Sequence, residues 1–300
     1  MIIIKKKLYK WIKRLTVVFL SLLLLFFILN LIFPLPDKID YSTVVTDDSG
    51  EVIHAYLTRD EKWRMKTELN EISPLLQKTI IEKEDKWFYY HPGVNLFALG
   101  RAFIYNVFTG RRTSGASTIT MQVARLMEPK RRTVWNKVRE MFRALQLEWK
   151  YSKEEILQQY INLVPYGGNV EGVKSASVLY LKKNPDHLSL AEITALSIIP
   201  NRPNSLRIGI NNDAIVEQRN KWLRRFAAEK VFAQKEIDDA LKEPINLIRN
   251  AAPQLVPHLS YKLKRNGETN IHSYLHMNTQ LKVEQLVKDY VQTMNFKNIK

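Results

Sequence analysis

Cysteine is absent from the chain, which excludes a disulfide framework, a thiolate metal site and a cysteine nucleophile together. The same absence makes the chain indifferent to the redox state around it. Acidic residues are in deficit: 30 Asp and Glu stand against 46 Lys and Arg, a formal charge of +16. No internal repeat or low-complexity tract is present outside one apolar run, so repeat architectures are excluded. What remains, 45% apolar and 25% charged over 300 residues, allows about two domains and a core of ordinary size.

The apolar run extends from Leu15 to Phe33, nineteen residues without a charge, and only Thr16, Ser21 and Asn30 are polar. As a helix it is about 28 Å long, close to the thickness of a bilayer's hydrocarbon core. Lys5, Lys6, Lys7, Lys10, Lys13 and Arg14 precede it, and Pro34, Pro36 and Asp37 follow. The positive-inside rule therefore reads residues 1–14 as a basic cytoplasmic tail and 15–33 as a single transmembrane anchor. Everything after Pro34 then lies on the outer side of the plasma membrane. FPLPDK carries no A-x-A cleavage pattern, which argues against a signal peptide.

The remainder reads as mainly α with a short N-terminal β region. Tyr41 to Leu57 is rich in β-branched residues around Asp47-Asp48-Ser49-Gly50, a strand, a turn and a strand. Ser73-Pro74 opens a helix running towards Glu84. Further helices are expected over Asn95–Phe108, Ile119–Met127, from Thr133, over Asp213–Lys230 and over Gln234–Leu241. Ser152…Glu155 and Ser189…Glu192 have capping-box spacing and start two more. In the helix from Thr133, Val138, Phe142, Leu145 and Trp149 form an apolar stripe.

Residues 111–150 hold ten basic side chains against three acidic ones. Such a patch suits nucleic acid, anionic lipid or phosphate. The orientation of the anchor places it outside the cell, so nucleic acid is excluded as a partner. Three features stand in or near this patch. In EKEDKWFYYHPGVN (82–95), adjacent Glu84 and Asp85 end a helix and run into aromatics, where partial desolvation raises a carboxylate's basicity. In RRTSGASTITMQVARL (111–126), small and hydroxyl residues precede a helix whose N-terminus suits an anion, and Gln122 and Arg125 share a face. In RTVWNKVRE (132–140), Lys137 and Glu140 are one turn apart.

Together these features resemble the family 51 glycosyltransferases, the peptidoglycan polymerases of class A penicillin-binding proteins and monofunctional transglycosylases. The family's first motif, E-D-x-x-F-x-x-H-x-G, is matched by Glu84, Asp85, Phe88, His91 and Gly93. Its second, G-G-S-T-x-T-x-Q, corresponds to Gly115-Ala116-Ser117-Thr118-Ile119-Thr120-Met121-Gln122. Its third, R-K-x-x-E, corresponds to Asn136-Lys137-Val138-Arg139-Glu140, and a fourth to Tyr160-Ile161-Asn162 with Gly167, Gly168 and Gly172. GASTITMQVARL with VPYGGNVEGV looks like the penicillin-binding protein 1C branch. Asn136 stands where the family has Arg, which removes one cation from the expected pyrophosphate site; Arg132 or Arg139 would have to cover the loss.

The match runs over about residues 40–250. Residues 251–300 resemble the linker and the start of a transpeptidase domain, which does not follow. No S-x-x-K or K-T-G occurs, so transpeptidase activity is not expected of this chain. His272 and His276 lack a third ligand nearby and read as incidental.

The resemblance implies a lysozyme-like helical fold, with an apolar jaw near the membrane. It implies lipid II and the growing glycan strand as substrates, joined into inverted β-1,4 linkages with release of polyprenyl diphosphate. Glu84 is then the general base. Glu140 is the second catalytic glutamate, near the diphosphate, where a divalent cation is compatible but not required. Asp85, Phe88, Arg101, Ser117, Thr118, Gln122, Arg125, Arg132 and Lys137 are the implied substrate-binding residues. No residues are assigned to a metal, the bilayer is a partner, and proteins of cell-wall synthesis are partners the resemblance allows. Two alternatives stand beside this reading: a lytic muramidase on the same fold, and a weakly active, membrane-anchored cell-wall scaffold.

Overall fold

The computed structural model describes residues 2–36, 38–110, 115–201, 205–264 and 268–296. Helix α1 (Ile2–Ile32) takes in the cationic start and the apolar run. Its portion Tyr9–Ile32 is long and apolar enough to cross a membrane, and most of its large apolar side chains are exposed.

Strands β1 (Val44–Thr46) and β2 (Val52–Ala55) form the expected antiparallel hairpin. Its turn is held by Asp47, whose Oδ1 accepts from the backbone N–H of Ser49 and Glu51 at 3.0 and 2.8 Å. After β3 (Trp63–Arg64) come α2 (Pro74–Glu84), α3 (Leu96–Thr109), α4 (Ile119–Met127), α5 (Val134–Lys150) and α6 (Lys153–Leu163). Strands β4 (Pro165–Gly167) and β5 (Val170–Glu171) follow, then α7 (Val173–Ala176), which continues as a π turn to Leu181. Helices α8 (Leu190–Ile198), α9 (Asn212–Ala228), α10 (Gln234–Lys242) and α11 (Pro257–Leu263), strand β6 (Asn270–His272) and α12 (Met277–Phe296) complete the order.

The architecture is mainly helical. Hydroxyl caps set the helix starts as the sequence predicts: Ser73, Thr118, Thr133, Ser152 and Ser189 each accept an N–H of the first turn. Helix α8 is buried along its whole length and packs against α2, α9 and α10. Helix α4 lies between α5 and α6, and Phe88, Ile119, Leu147, Ile156 and Ile161 join in the main apolar core.

The apolar stripe of α5 does not face that core. Leu147 enters it and Ala144 packs with Val94 and Met121 in a smaller cluster, whereas Val138, Leu145 and Trp149 are exposed. Phe142 and Trp149 instead meet Phe26 and Phe27 of α1 edge-on, with ring centroids 5.2 to 6.4 Å apart. Two of the four stripe residues, Phe142 and Trp149, thus meet the anchor helix and not the centre of the fold.

Two small sheets pin the ends of the helical body. In one, β3 pairs parallel with β5, and β5 antiparallel with β4. In the other, β6 pairs parallel with β1, so residues 270–272 return to the N-terminal hairpin. Val45, Ile53 and Ile271 share an apolar cluster with Leu255, Leu263 and Leu275, and the stretch after 250 is folded onto the hairpin. His272 and His276 have separate partners, Thr46 and Asp48.

Asn162, on α6, brackets an extended segment. Its carboxamide accepts from the N–H of Thr67 and donates to the Thr67 carbonyl, both at 2.9 Å. The backbone of Gly172 crosses directly over it. Gly172 has φ +82°, and a Cβ there would lie 2.8 Å from the Asn162 carbonyl oxygen. Gly50 has a similar φ of +86° with open space around it. Gly50→Ala is therefore expected to cost only backbone strain, about 1–3 kcal/mol. Gly172→Ala adds a collision with backbone, so its melting temperature should lie at least about 2 °C below that of Gly50→Ala. Thermal unfolding followed by circular dichroism checks this, and equal values would mean that the carbonyl yields.

Candidate functional site

Glu84 is the last residue of α2, and its carboxylate is gathered by three donors from distant parts of the chain and from next door. Gln122 Nε2 of α4 and Asn201 Nδ2 each donate to it at 3.1 Å, and the ammonium of Lys83 pairs with it. The Lys83 side chain is only 1% exposed and lies against the Trp222 ring; that of Glu84 is 9% exposed. Tyr160 and Tyr166 are buried close by. Burial, and then the negative charge of Glu84, push both phenols above their ordinary range, so they remain neutral. The carboxylate thus sits in a pocket of neutral aromatics with one buried cation beside it.

Asp85, the next residue, points the other way. Its Oδ2 accepts the N–H of Ile119, the first residue of α4, at 3.0 Å, and both its oxygens lie 3.0 Å from His91 Nε2. The N-terminus expected to receive an anion therefore receives an internal one. Thr118 caps the same helix, and its hydroxyl donates to the Gly93 carbonyl at 2.5 Å. Gly93 has φ +78°, and a Cβ would lie 2.7 Å from Glu148 Cγ and 3.0 Å from the Ala144 oxygen, so glycine is required where this turn crosses α5. Lys153 closes the underside, donating to the His91 carbonyl and to Glu148 at 2.7 Å while lying over the Phe88 ring. Asp85, Phe88 and Thr118 are all buried, with their polar groups spent inside the fold. Their place is underneath the surface that Glu84 borders.

A second cluster lies at the start of α5. Lys137 Nζ donates to Ser117 Oγ at 2.7 Å and to Glu140 at 3.0 Å. Asn136 turns its carboxamide to the Arg131 carbonyl at 2.8 Å. Arg139 and Arg143 both bond Glu128, at 2.8 and 2.9 Å. Asn136, Arg139, Glu140 and Arg143 line one shallow depression together with Glu128 and Lys130. Of the two arginines that could replace the cation missing at 136, Arg139 is committed to Glu128. Arg132 is exposed, with no ion pair among the described residues.

The remaining cations are spread more widely. Arg125, on the same helix as Gln122, is half-buried near Tyr160. Arg101 is exposed on α3, whose outer surface is strongly apolar: Leu96, Phe97, Ile104 and Phe108 are exposed, Phe97 to 93%. Residues 111–114 of the basic loop lie outside the described residues. Among the described residues no group of three His, Cys, Asp or Glu could hold a metal. Glu128 faces Arg139 and Arg143, and Glu140 faces Lys137.

Sequence reasoning missed Lys83 and Asn201. Asn201 is 117 positions from Glu84 and belongs to none of the four motifs, so nothing in the pattern links the two. Lys83 was visible as the residue before the Glu-Asp pair, but position alone does not reveal a buried lysine.

A family model described as Transglycosylase matches residues 49–227. Penicillin-binding protein 1C of Escherichia coli is 36% identical over 86% of this chain, and the chain spans 34% of that protein. Penicillin-binding protein 1A of Escherichia coli is 34% identical over 72% of the chain and 25% of its own length. A crystal structure of penicillin-binding protein 1A from Haemophilus influenzae aligns with a TM-score of 0.40 and 18% identity over 79% of the chain and 27% of its own. The chain thus spans about a third or less of the relatives it matches. Over the body that carries Glu84, Gln122, Lys137 and Glu140, it belongs to the transglycosylase family.

Proposed function

We propose that this chain is a membrane-anchored peptidoglycan glycosyltransferase that polymerises lipid II, with Glu84 as general base. The observation that carries the reading is the pairing of two unlike clusters at the start of α4: a single shielded carboxylate at Gln122, and a cation held by a carboxylate at Ser117, just ahead of the helix. In the reaction, the 4-hydroxyl oxygen of the acceptor attacks C1 of the donor sugar from the face opposite the diphosphate. The C1–O bond to the diphosphate breaks, and that group leaves with the electron pair. The hydroxyl proton passes to Glu84. A diphosphate leaves readily and needs charge stabilisation more than protonation, so one base and several cations suffice.

The surroundings of each group fit these tasks. A carboxylate has about four acceptor sites, and Lys83, Gln122 and Asn201 use three, which leaves one for the substrate hydroxyl. Lys137 would face the diphosphate, and Glu140 and Ser117 hold its ammonium in place. Arg125, Arg132 and Arg101 would meet the remaining phosphate charge. Asp85, Phe88 and Thr118 position the base and the loop. The apolar outer surface of α3 would take the polyprenyl chain, beside an anchor that places the body on the outer face of the membrane.

Glu84→Gln is expected to lower polymerisation of lipid II by about 10²- to 10⁴-fold. It should also lower stability by about 1–3 kcal/mol, because Lys83 loses its counter-charge in a buried position. The double variant Lys83→Met/Glu84→Gln should regain melting temperature without regaining activity, which separates the base from a folding defect. Gel analysis of glycan length, with thermal unfolding alongside, checks both. Near-normal polymer from Glu84→Gln would sink the mechanism, and shortening of preformed glycan would favour the muramidase.

Lys137→Ala should cost about 10²- to 10³-fold through uncompensated diphosphate charge. Glu140→Gln leaves the base intact, so its loss should fall on donor affinity. Rates and lipid II affinities of the two variants decide, and a Lys137→Ala enzyme with unchanged affinity and rate would remove the diphosphate from this cluster. Protease added outside intact spheroplasts should digest the main body, and protection there would reverse the topology.

A further inference from the structure

The end of α1 is not a free tether. Pro34 and Pro36 have no N–H, so the last carbonyls of the helix need donors from elsewhere. Arg143 of α5 supplies them just past the helix: its Nη1 donates to the carbonyls of Phe33 and Pro34 at 2.6 and 2.8 Å. A guanidinium also suits the negative end of the α1 dipole. Gln146, one turn further along α5 and only 1% exposed, donates to the Phe33 carbonyl at 2.9 Å and to Asn30 Oδ1 at 2.8 Å. Asn30 is the polar residue nearest the end of an otherwise apolar run, and this bond gives it a partner. Phe142 and Trp149 flank the polar pair and pack on Phe26 and Phe27. Beyond the helix, Leu35 and Ile39 pack on the main core.

The same guanidinium reaches the candidate site. Arg143 Nη2 bonds Glu128, which also holds Arg139, and Arg143 and Glu140 line one depression. A shift of α5 along α1 would therefore move Lys137 and Glu140 with it. We infer that the α1–α5 clasp of Asn30, Gln146 and Arg143 is a positioning device: the anchor sets the pose of the helix that carries the diphosphate-facing groups. The inference rests on the glycosyltransferase reading above. Asn30 and Gln146 are positioning residues and touch no substrate.

The test uses the full chain in lipid vesicles with lipid II. Asn30→Leu and Gln146→Leu are each expected to lower kcat by about three- to tenfold, with KM within about twofold and vesicle association unchanged. The double variant should be no slower than the slower single one, because both remove one connection. The reciprocal swap Asn30→Gln/Gln146→Asn keeps two amides of the same total length and should recover most of the rate. Since the chain has no cysteine, Phe27→Cys/Trp149→Cys gives a clean thiol pair for a short bifunctional cross-linker. That pair should cross-link in vesicles whether or not substrate is present. Absence of the cross-link overturns the clasp, as do single variants at wild-type kcat or losses that multiply in the double variant. A wild-type chain that makes no glycan, with the cysteine-pair variant still cross-linking, overturns the glycosyltransferase reading and the clasp's catalytic role, and leaves only a helix contact.

Discussion

The Asp85 carboxylate takes one N–H from the start of α4 and faces His91 with both oxygens, and these bonds decide where everything else at the site stands. They bind the end of α2 to the start of α4, two segments separated in the chain by a long apolar helix and a basic loop. A hydrogen bond to a charged acceptor is worth about 1.5–3 kcal/mol, more than a neutral one, and burial raises the cost of leaving it unmade. With Asp85 turned inward, Glu84 at the preceding position is turned towards Gln122. Adjacent carboxylates thus serve opposite purposes, one holding the scaffold and one available for chemistry. Gly93 and Thr118 add to the same joint, because the turn can approach α5 only where there is no side chain.

Once that joint is made, α4 acts as a ruler. Gln122, on its first turn, touches Glu84, and Ser117, just ahead of its Thr118 cap, touches Lys137. Glu84 and the cation cluster come from different helices, α2 and α5, yet both are referred to α4 and the residue that leads into it. The departure at Asn136 is tolerated on this scheme without disturbing the ruler. Its carboxamide closes onto the Arg131 carbonyl, and the Lys137–Ser117 contact does not pass through it.

Much of this was legible in the sequence because it is local. Ser73, Ser152 and Ser189 announce helices by chemistry confined to four residues, and the structure starts α2, α6 and α8 there. The N-terminal hairpin was legible from its turn residues. The short sheet of β3, β4 and β5 was not, since strands of two or three residues carry no periodic signal. Nor was the return of β6 to β1, a parallel pairing across more than two hundred positions. The stripe on α5 had the correct period and an unexpected partner, because periodicity reports that a face is apolar without saying what covers it. At the site, the motifs named Glu84, Gln122, Lys137 and Glu140, but Lys83 and Asn201 depend on tertiary proximity alone.

The excess of positive charge is divided between two uses that composition cannot separate. Lys83, Lys137, Arg139, Arg143 and Lys153 are each tied to a carboxylate, and the pairs made by Arg139, Arg143 and Lys153 join separate segments of the chain. Lys130, Arg131 and Arg132 are exposed just ahead of α5, next to the exposed Val134 and Trp135. Exposed ion pairs contribute about 0–1 kcal/mol, so leaving such cations unpaired costs the fold little. Their effect is instead on the field around the opening of the site, where a positive potential beside an apolar surface favours a molecule with an anionic head and a hydrocarbon tail. Paired cations fix distances and exposed ones attract, and the lipid diphosphate of the proposed reaction would call on both.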